Sequence, residues 1–116
     1  MKKTTDFIEK MQQIKIEPCQ SNRTGENVKN QYIITAPGCY AFQSYGSLIA
    51  VYDIANNILT LGRDFDYSTT TSKYLNQFIE YYCRSIYREL PNGTSVRNRL
   101  QKAIDNGIIQ YNPNMR

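Results

Sequence analysis

The stretch YIITAPGCYAFQSYGSLIAVYDIANNILTLG, residues 32–62, decides the fold. It divides into Tyr32-Ile33-Ile34-Thr35, Tyr40 to Tyr45, Leu48 to Tyr52 and Ile58 to Leu61, short runs rich in β-branched and aromatic residues with turn signals between them. Pro37-Gly38 makes the first turn and Gly46 relaxes the second, while Asn56-Asn57 can take the positive φ that a two-residue hairpin demands. The pattern predicts a four-stranded antiparallel β-meander over 31–62.

Beyond Gly62 the apolar period lengthens. Tyr74, Leu75, Phe78, Ile79, Tyr82, Cys83 and Ile86 recur at three- and four-residue intervals, the stripe of one long amphipathic helix of about five turns. This helix is expected to cover one face of the sheet. It stops before Pro91, and Thr94 and Ser95 can cap a second helix carrying Val96, Leu100, Ala103 and Ile104, closed by Asn106-Gly107. Ile108 to Tyr111 reads as a short terminal strand or a pinned tail, with the last residues frayed. On the N-terminal side, Thr5 caps a short helix with Phe7, Ile8, Met11 and Ile14 at helical spacing. Pro18 ends that helix, and Cys19 to Asn30 reads as a polar loop. The expectation is an α+β single domain: N-terminal helix and loop over 1–30, meander over 31–62, helical part and terminal strand over 71–111.

With 116 residues, 41% of them hydrophobic, the chain has the size and composition of one folded domain that needs no metal or disulfide to hold it. No apolar stretch approaches the roughly 20 residues of a membrane helix, and no signal-peptide succession is present. The expected setting is the cytoplasm of a bacterial host cell, away from the membrane. Three cysteines, Cys19, Cys39 and Cys83, are widely spaced without a C-x-x-C, which supports neither a disulfide framework nor a zinc site. There is no histidine, so the most frequent general base and the usual zinc ligand are both missing. No cofactor is called for.

The charge is unevenly placed. Residues 1–83 hold 8 basic and 8 acidic side chains, whereas 84–116 hold Arg84, Arg88, Arg97, Arg99, Lys102 and Arg116 against Glu89 and Asp105, so the whole net charge of +4 lies in the last third. Such asymmetry points to an anionic partner, although a solvated helical face looks the same.

Phe42-Gln43-Ser44-Tyr45, Ile49-Ala50, Leu61-Gly62-Arg63-Asp64 and Tyr67-Ser68, followed by Thr70-Thr71-Ser72-Lys73-Tyr74-Leu75 and Phe78, resemble a family of short proteins encoded by bacteriophages and other mobile elements. Leu100 to Ile108 is similar to the end of the same domain, and the N-terminal helix and loop lie outside the resemblance. Phe65 stands where that family more often has Trp, a change that keeps an aromatic anchor. The family brings no established activity. What the resemblance implies is a phage or mobile-element accessory protein acting on host or phage machinery.

Asp64-Phe65-Asp66 places two carboxylates on one side of an extended segment, with Asp53 at the end of a neighbouring strand, an oxygen-rich group that can hold Mg²⁺. The plainer account makes them polar turn residues around a buried Phe65. Ser68-Thr69-Thr70-Thr71-Ser72 leads into the long helix, and Lys73 sits in its first turn, where an anion can be received or a hydroxyl simply caps. Lys73, Gln77, Glu80, Tyr81, Arg84 and Arg88, with Tyr87 nearby, share the exposed side of the long helix, and the next helix adds Arg97, Arg99 and Lys102. Cations interleaved with aromatics suit a nucleic-acid backbone or an acidic protein groove. The competing account is a solvated face in which Glu80 pairs with Arg84 and Asp105 with Gln101 or Lys102. Tyr32, Tyr40, Tyr52, Tyr74 and Tyr82 fall on core positions, whereas Tyr45, Tyr67, Tyr81 and Tyr87 are expected to be partly exposed. The combined expectation is a non-enzymatic binder of a host protein or ribonucleoprotein, with inhibition of a defence system such as CRISPR as its concrete form. Its contacts would be Lys73, Tyr81, Arg84, Tyr87, Arg88, Arg97, Arg99 and Lys102. The alternative is a DNA- or RNA-binding accessory or regulatory protein using the same face, and an enzyme resting on Asp53, Asp64 and Asp66 comes third. Exposed edges of the meander leave homodimerisation by sheet extension open.

Overall fold

The computed structural model describes residues 2–116, with side chains from Asp6 onward. The chain is α+β: helix α1 (Lys2–Gln12), strands β1 (Lys15–Gln20), β2 (Asn27–Ala36), β3 (Cys39–Ser44), β4 (Ser47–Asp53) and β5 (Ile58–Gly62), helices α2 (Thr69–Tyr82), α3 (Arg84–Glu89) and α4 (Val96–Asp105), and strand β6 (Gln110–Asn112). One sheet holds all the strands in the order β1-β2-β3-β4-β5-β6. The first five pair antiparallel with their neighbours, and β6 joins β5 in parallel.

The expected meander is β2 to β5, and it has one more strand on each side. After α1 the chain does not run on to Pro18 as helix and then open into a long loop. It enters β1, where Lys15 faces Thr35 and Pro18 faces Tyr32. A proline is tolerated there because β1 is an edge strand, so no ladder bond on its outer side is lost. The loop shrinks to residues 21–26, closed by Ser21 N–H donating to Glu26 O at 2.9 Å and by Gly25 at φ 72°. At the other end Thr60 and Gly62 pair with Gln110 and Asn112. The meander therefore has no free edge of its own. The tail beyond β6 is also held, since Arg63 N–H donates to Met115 O at 2.9 Å.

The turns follow their chemistry, with one difference. Ala36 faces Cys39 across Pro37-Gly38, and Gly38 at φ 78° behind a proline has the signature of a type II turn. Ser44 faces Ser47 across Tyr45-Gly46, both left-handed at φ 54° and 93°, which is the type I′ pattern. Between β4 and β5 the last ladder pair is Asp53 with Ile58, so that connection has four residues rather than two and only Asn57 is left-handed, at φ 53°.

The core lies between the sheet and the helices. Ladder partners share a face, so Ile33, Phe42, Ala50 and Leu61 form one buried row and Phe78 of α2 stacks on Phe42 with ring centroids 6.0 Å apart. The expected long helix is two helices, because the helical dihedrals fail at Cys83 (φ −126°, ψ 50°). The break has no proline or glycine behind it. It turns Ile86 into the core and lets Ser85 Oγ donate to Asn57 Oδ1 at 2.7 Å, the same oxygen that Tyr52 OH reaches at 2.6 Å, so docking on the β4–β5 turn outweighs helical continuity.

Candidate interaction surface

The start of α2 shows what the hydroxyl run does. Ser68 caps the helix, its Oγ accepting from Thr71 N–H at 3.1 Å, and the buried Thr71 hydroxyl shares hydrogen bonds with Ser44 Oγ at 2.9 Å and Ser68 Oγ at 3.1 Å. These groups satisfy one another beneath the helix and tie it to β3. The α4 start repeats the device, with Ser95 Oγ accepting from Asn98 N–H at 3.1 Å.

The carboxylates proposed to act as a triad are separated. Asp64 accepts from Ser47 Oγ at 3.2 Å, at the first residue of β4, whereas Asp53 is the last residue of that strand, about 20 Å away at ordinary strand rise. Asp53 instead accepts from Asn56, through its side-chain amide at 2.8 Å and its backbone N–H, and these bonds hold its carboxyl below the usual range. Asp66 pairs with Arg97 at 3.1 Å, the one ion pair among the described residues. Neighbourhood in sequence order misled here, because the end of β4 next to Asp64 is its beginning.

The basic face divides in the same way. Arg99 Nε donates to Pro91 O at 3.1 Å with its guanidinium 5.9 Å from the Tyr87 ring centre, and Lys102 Nζ donates to Asn92 O at 3.1 Å. Both cations hold the 91–95 turn against α3 and α4, a structural duty rather than a free contact. Lys73 lies over the Tyr74 ring at 5.3 Å. Arg84 and Arg88 are exposed one turn apart on α3, with no carboxylate in ion-pair range among the described residues, and Glu80 does not pair with Arg84. Asp105 accepts from Gln101 at 3.1 Å, as a solvated face would have it. Tyr81, 56% exposed, stands three residues before Arg84 across the helix break, and only a long 3.4 Å contact from its hydroxyl to Asn22 Oδ1 engages it. Tyr45 and Tyr67 are also exposed and lie against each other, 6.1 Å between ring centres. Tyr87 is half-buried under Arg99.

Next to Tyr81 the β1–β2 hairpin and α2 enclose a groove of about 690 Å³. Its walls are joined by Gln77 Nε2 donating to Gln20 O at 2.8 Å. Cys19 is buried in it, and burial pushes that thiol up to about 12. Burial first, and then the Glu17 carboxylate, raise the Tyr82 hydroxyl. Glu17 and Cys19 as groove residues were not legible in the sequence, because the strand that carries them shows no alternation: only Cys19 of its residues is fully buried.

The family model of DUF8033, a family of unknown function, matches residues 14–90. The chain belongs to the DUF8033 family. The DUF8033 span runs from β1 through α3, so it contains the groove, Tyr81, Arg84 and Arg88 and leaves out α1, α4 and β6. No curated protein and no solved structure matches the chain. Among the described residues no helix is long and apolar enough to cross a membrane.

Proposed function

We propose that this DUF8033 chain is a non-enzymatic accessory protein of phage or mobile-element origin that binds a host protein or ribonucleoprotein in the bacterial cytoplasm, inhibition of a defence system such as CRISPR being the concrete form. The observation that carries the reading is the patch of Tyr81, Arg84 and Arg88, an exposed ring followed by two exposed guanidinium groups that have no ion pair among the described residues. Tyr and Arg are the residues that most often anchor protein interfaces, and these three have little internal work to do. The origin rests on the resemblance of the 40–78 segment to phage-encoded proteins. No catalytic step is proposed at Asp53, Asp64 and Asp66, whose carboxylates are engaged at separate places.

Direct binding of DNA or RNA by the same face is the second reading, favoured by the exposure of Arg84 and Arg88 without an ion pair among the described residues. It is the weaker one, because phosphate-driven affinity needs several free cations, and Arg97, Arg99 and Lys102 already have partners within the fold. A tagged chain used to capture partners from host lysate, with and without nuclease, separates the two. A protein that survives nuclease and is lost at least tenfold on Tyr81→Ala supports the first reading. Loss of every partner after nuclease, with steep salt dependence and sensitivity to Arg84→Ala and Arg88→Ala, transfers the assignment to nucleic acid.

A further inference from the structure

The groove between the β1–β2 hairpin and α2 has the opposite electrostatic character from the chain around it. On a protein of net charge +4, Glu17 is the one residue with a formal charge among the described residues that line this groove. The carboxylate is on the helix side of the sheet: Glu17 faces Ile33 in the ladder, and Ile33 belongs to the row that α2 covers. Its influence on the Tyr82 hydroxyl agrees with that placement.

The α2 wall is aromatic. Tyr74, Phe78, Tyr81 and Tyr82 all line the groove, and Phe78 and Tyr82 stack at 5.5 Å. Ring faces carry negative quadrupole potential and attract a cation set over them, most strongly where water is partly excluded. Lys73 lines the neighbouring cavity at the starts of α2 and α4, its ammonium over the Tyr74 ring, which leaves Tyr81 as the exposed ring of the groove. The far wall adds neutral acceptors, among them Asn22 Oδ1 beside the Tyr81 hydroxyl. A carboxylate, π faces and neutral acceptors, with no positive side chain among the described residues that line the groove, make a site for an organic cation. A planar guanidinium suits it better than an ammonium, because it can stack on a ring and fork onto a carboxylate at once.

We propose that this groove receives an arginine side chain of a partner protein, its guanidinium stacked on Tyr81 and its charge set against Glu17. The proposal rests on the protein-binding reading above and gives that partner a chemical requirement: a basic residue at the point of contact, beside the acidic surface that Arg84 and Arg88 would meet. The partner would thus present both signs of charge.

The test is a titration of the ¹⁵N-labelled full chain, followed by NMR, with N-acetyl-arginine methylamide and with its neutral isostere N-acetyl-citrulline methylamide. The expected result is movement of the Cys19, Gln20 and Gln77 amides at millimolar arginine probe, with citrulline at least tenfold weaker. Glu17→Gln, an isosteric change at an exposed position that leaves the remaining spectrum in place, should erase the difference between the two probes. Equal responses to both probes, an arginine response unchanged by Glu17→Gln, or no movement at the groove would each overturn the proposal. Failure of the binding reading looks different: the groove would answer to arginine while every lysate partner disappeared with nuclease.

Discussion

Gly38 and Gly62 are both small for a reason, but the reasons differ and so do the expected costs of adding one methyl group. Gly38 sits at φ 78° with nothing within 4 Å of where a Cβ would be, so only the left-handed backbone penalty applies. Gly38→Ala should lower stability by about 1 kcal/mol. At Gly62 the added carbon would lie 2.5 Å from Met115 O and 2.7 Å from Leu48 O, backbone atoms that cannot swing aside. Gly62→Ala should cost about 2–3 kcal/mol, as overpacking does, and urea denaturation of the two variants in parallel checks the order. A reversed order would mean that residues 113–116 do not hold their place against β5. The buried thiols make a second prediction. Cys19 and Cys83 are pushed by burial from 9.0 up to about 12, so the folded chain holds these protons more tightly than the unfolded one. The stability they contribute is complete below pH 9 and is lost as the pH climbs toward 12. Cys83→Ala should flatten that alkaline decline when thermal midpoints are recorded from pH 8 upward, and an unaltered slope would show that other groups cause it.

Among the secondary-structure elements, α1 stands apart. Phe7, Ile8 and Met11 are 64%, 51% and 53% exposed, so the apolar stripe that announced this helix in the sequence is not buried against the sheet. Removing residues 1–12 should shift the urea-derived stability by less than about 0.5 kcal/mol while removing helical circular-dichroism signal. A loss above about 2 kcal/mol would mean that α1 is packed on the domain in solution. What the sequence could and could not reveal follows from the same physics. The strands β2 to β5 were legible because they are half-buried and bounded by turn residues, and α4 because both its caps and its stripe are local. By contrast β1 was hidden, since an edge strand buries one residue and tolerates a proline; the short terminal strand was expected, but its parallel place beside β5 was not legible in three residues that are all exposed. The break at Cys83 was equally invisible, because it is made by Ser85 meeting Asn57, residues 28 apart in sequence. For the basic face, composition located the cations but not their partners: Arg99 and Lys102 bond to carbonyl oxygens of Pro91 and Asn92, acceptors that every sequence has.

The molecule as a whole is 53 Å in its longest dimension and 24 Å in its shortest, with a sheet whose order follows the chain from first strand to last. That order has a temporal consequence. Strands β1 to β5 each pair with the strand just before or after them, through connections of two to six residues, so every ladder among them can close as soon as the next strand leaves the ribosome. The fifth pairing is of another kind, since Thr60 waits for Gln110, fifty residues later, and α2, α3 and α4 must be made and docked before it can close. Synthesis therefore passes through a stage in which the outer side of β5 is an unpaired edge. It is covered only once Gln110–Asn112 has emerged, by three residues, and until then one flank of the meander stands open while the other is already occupied.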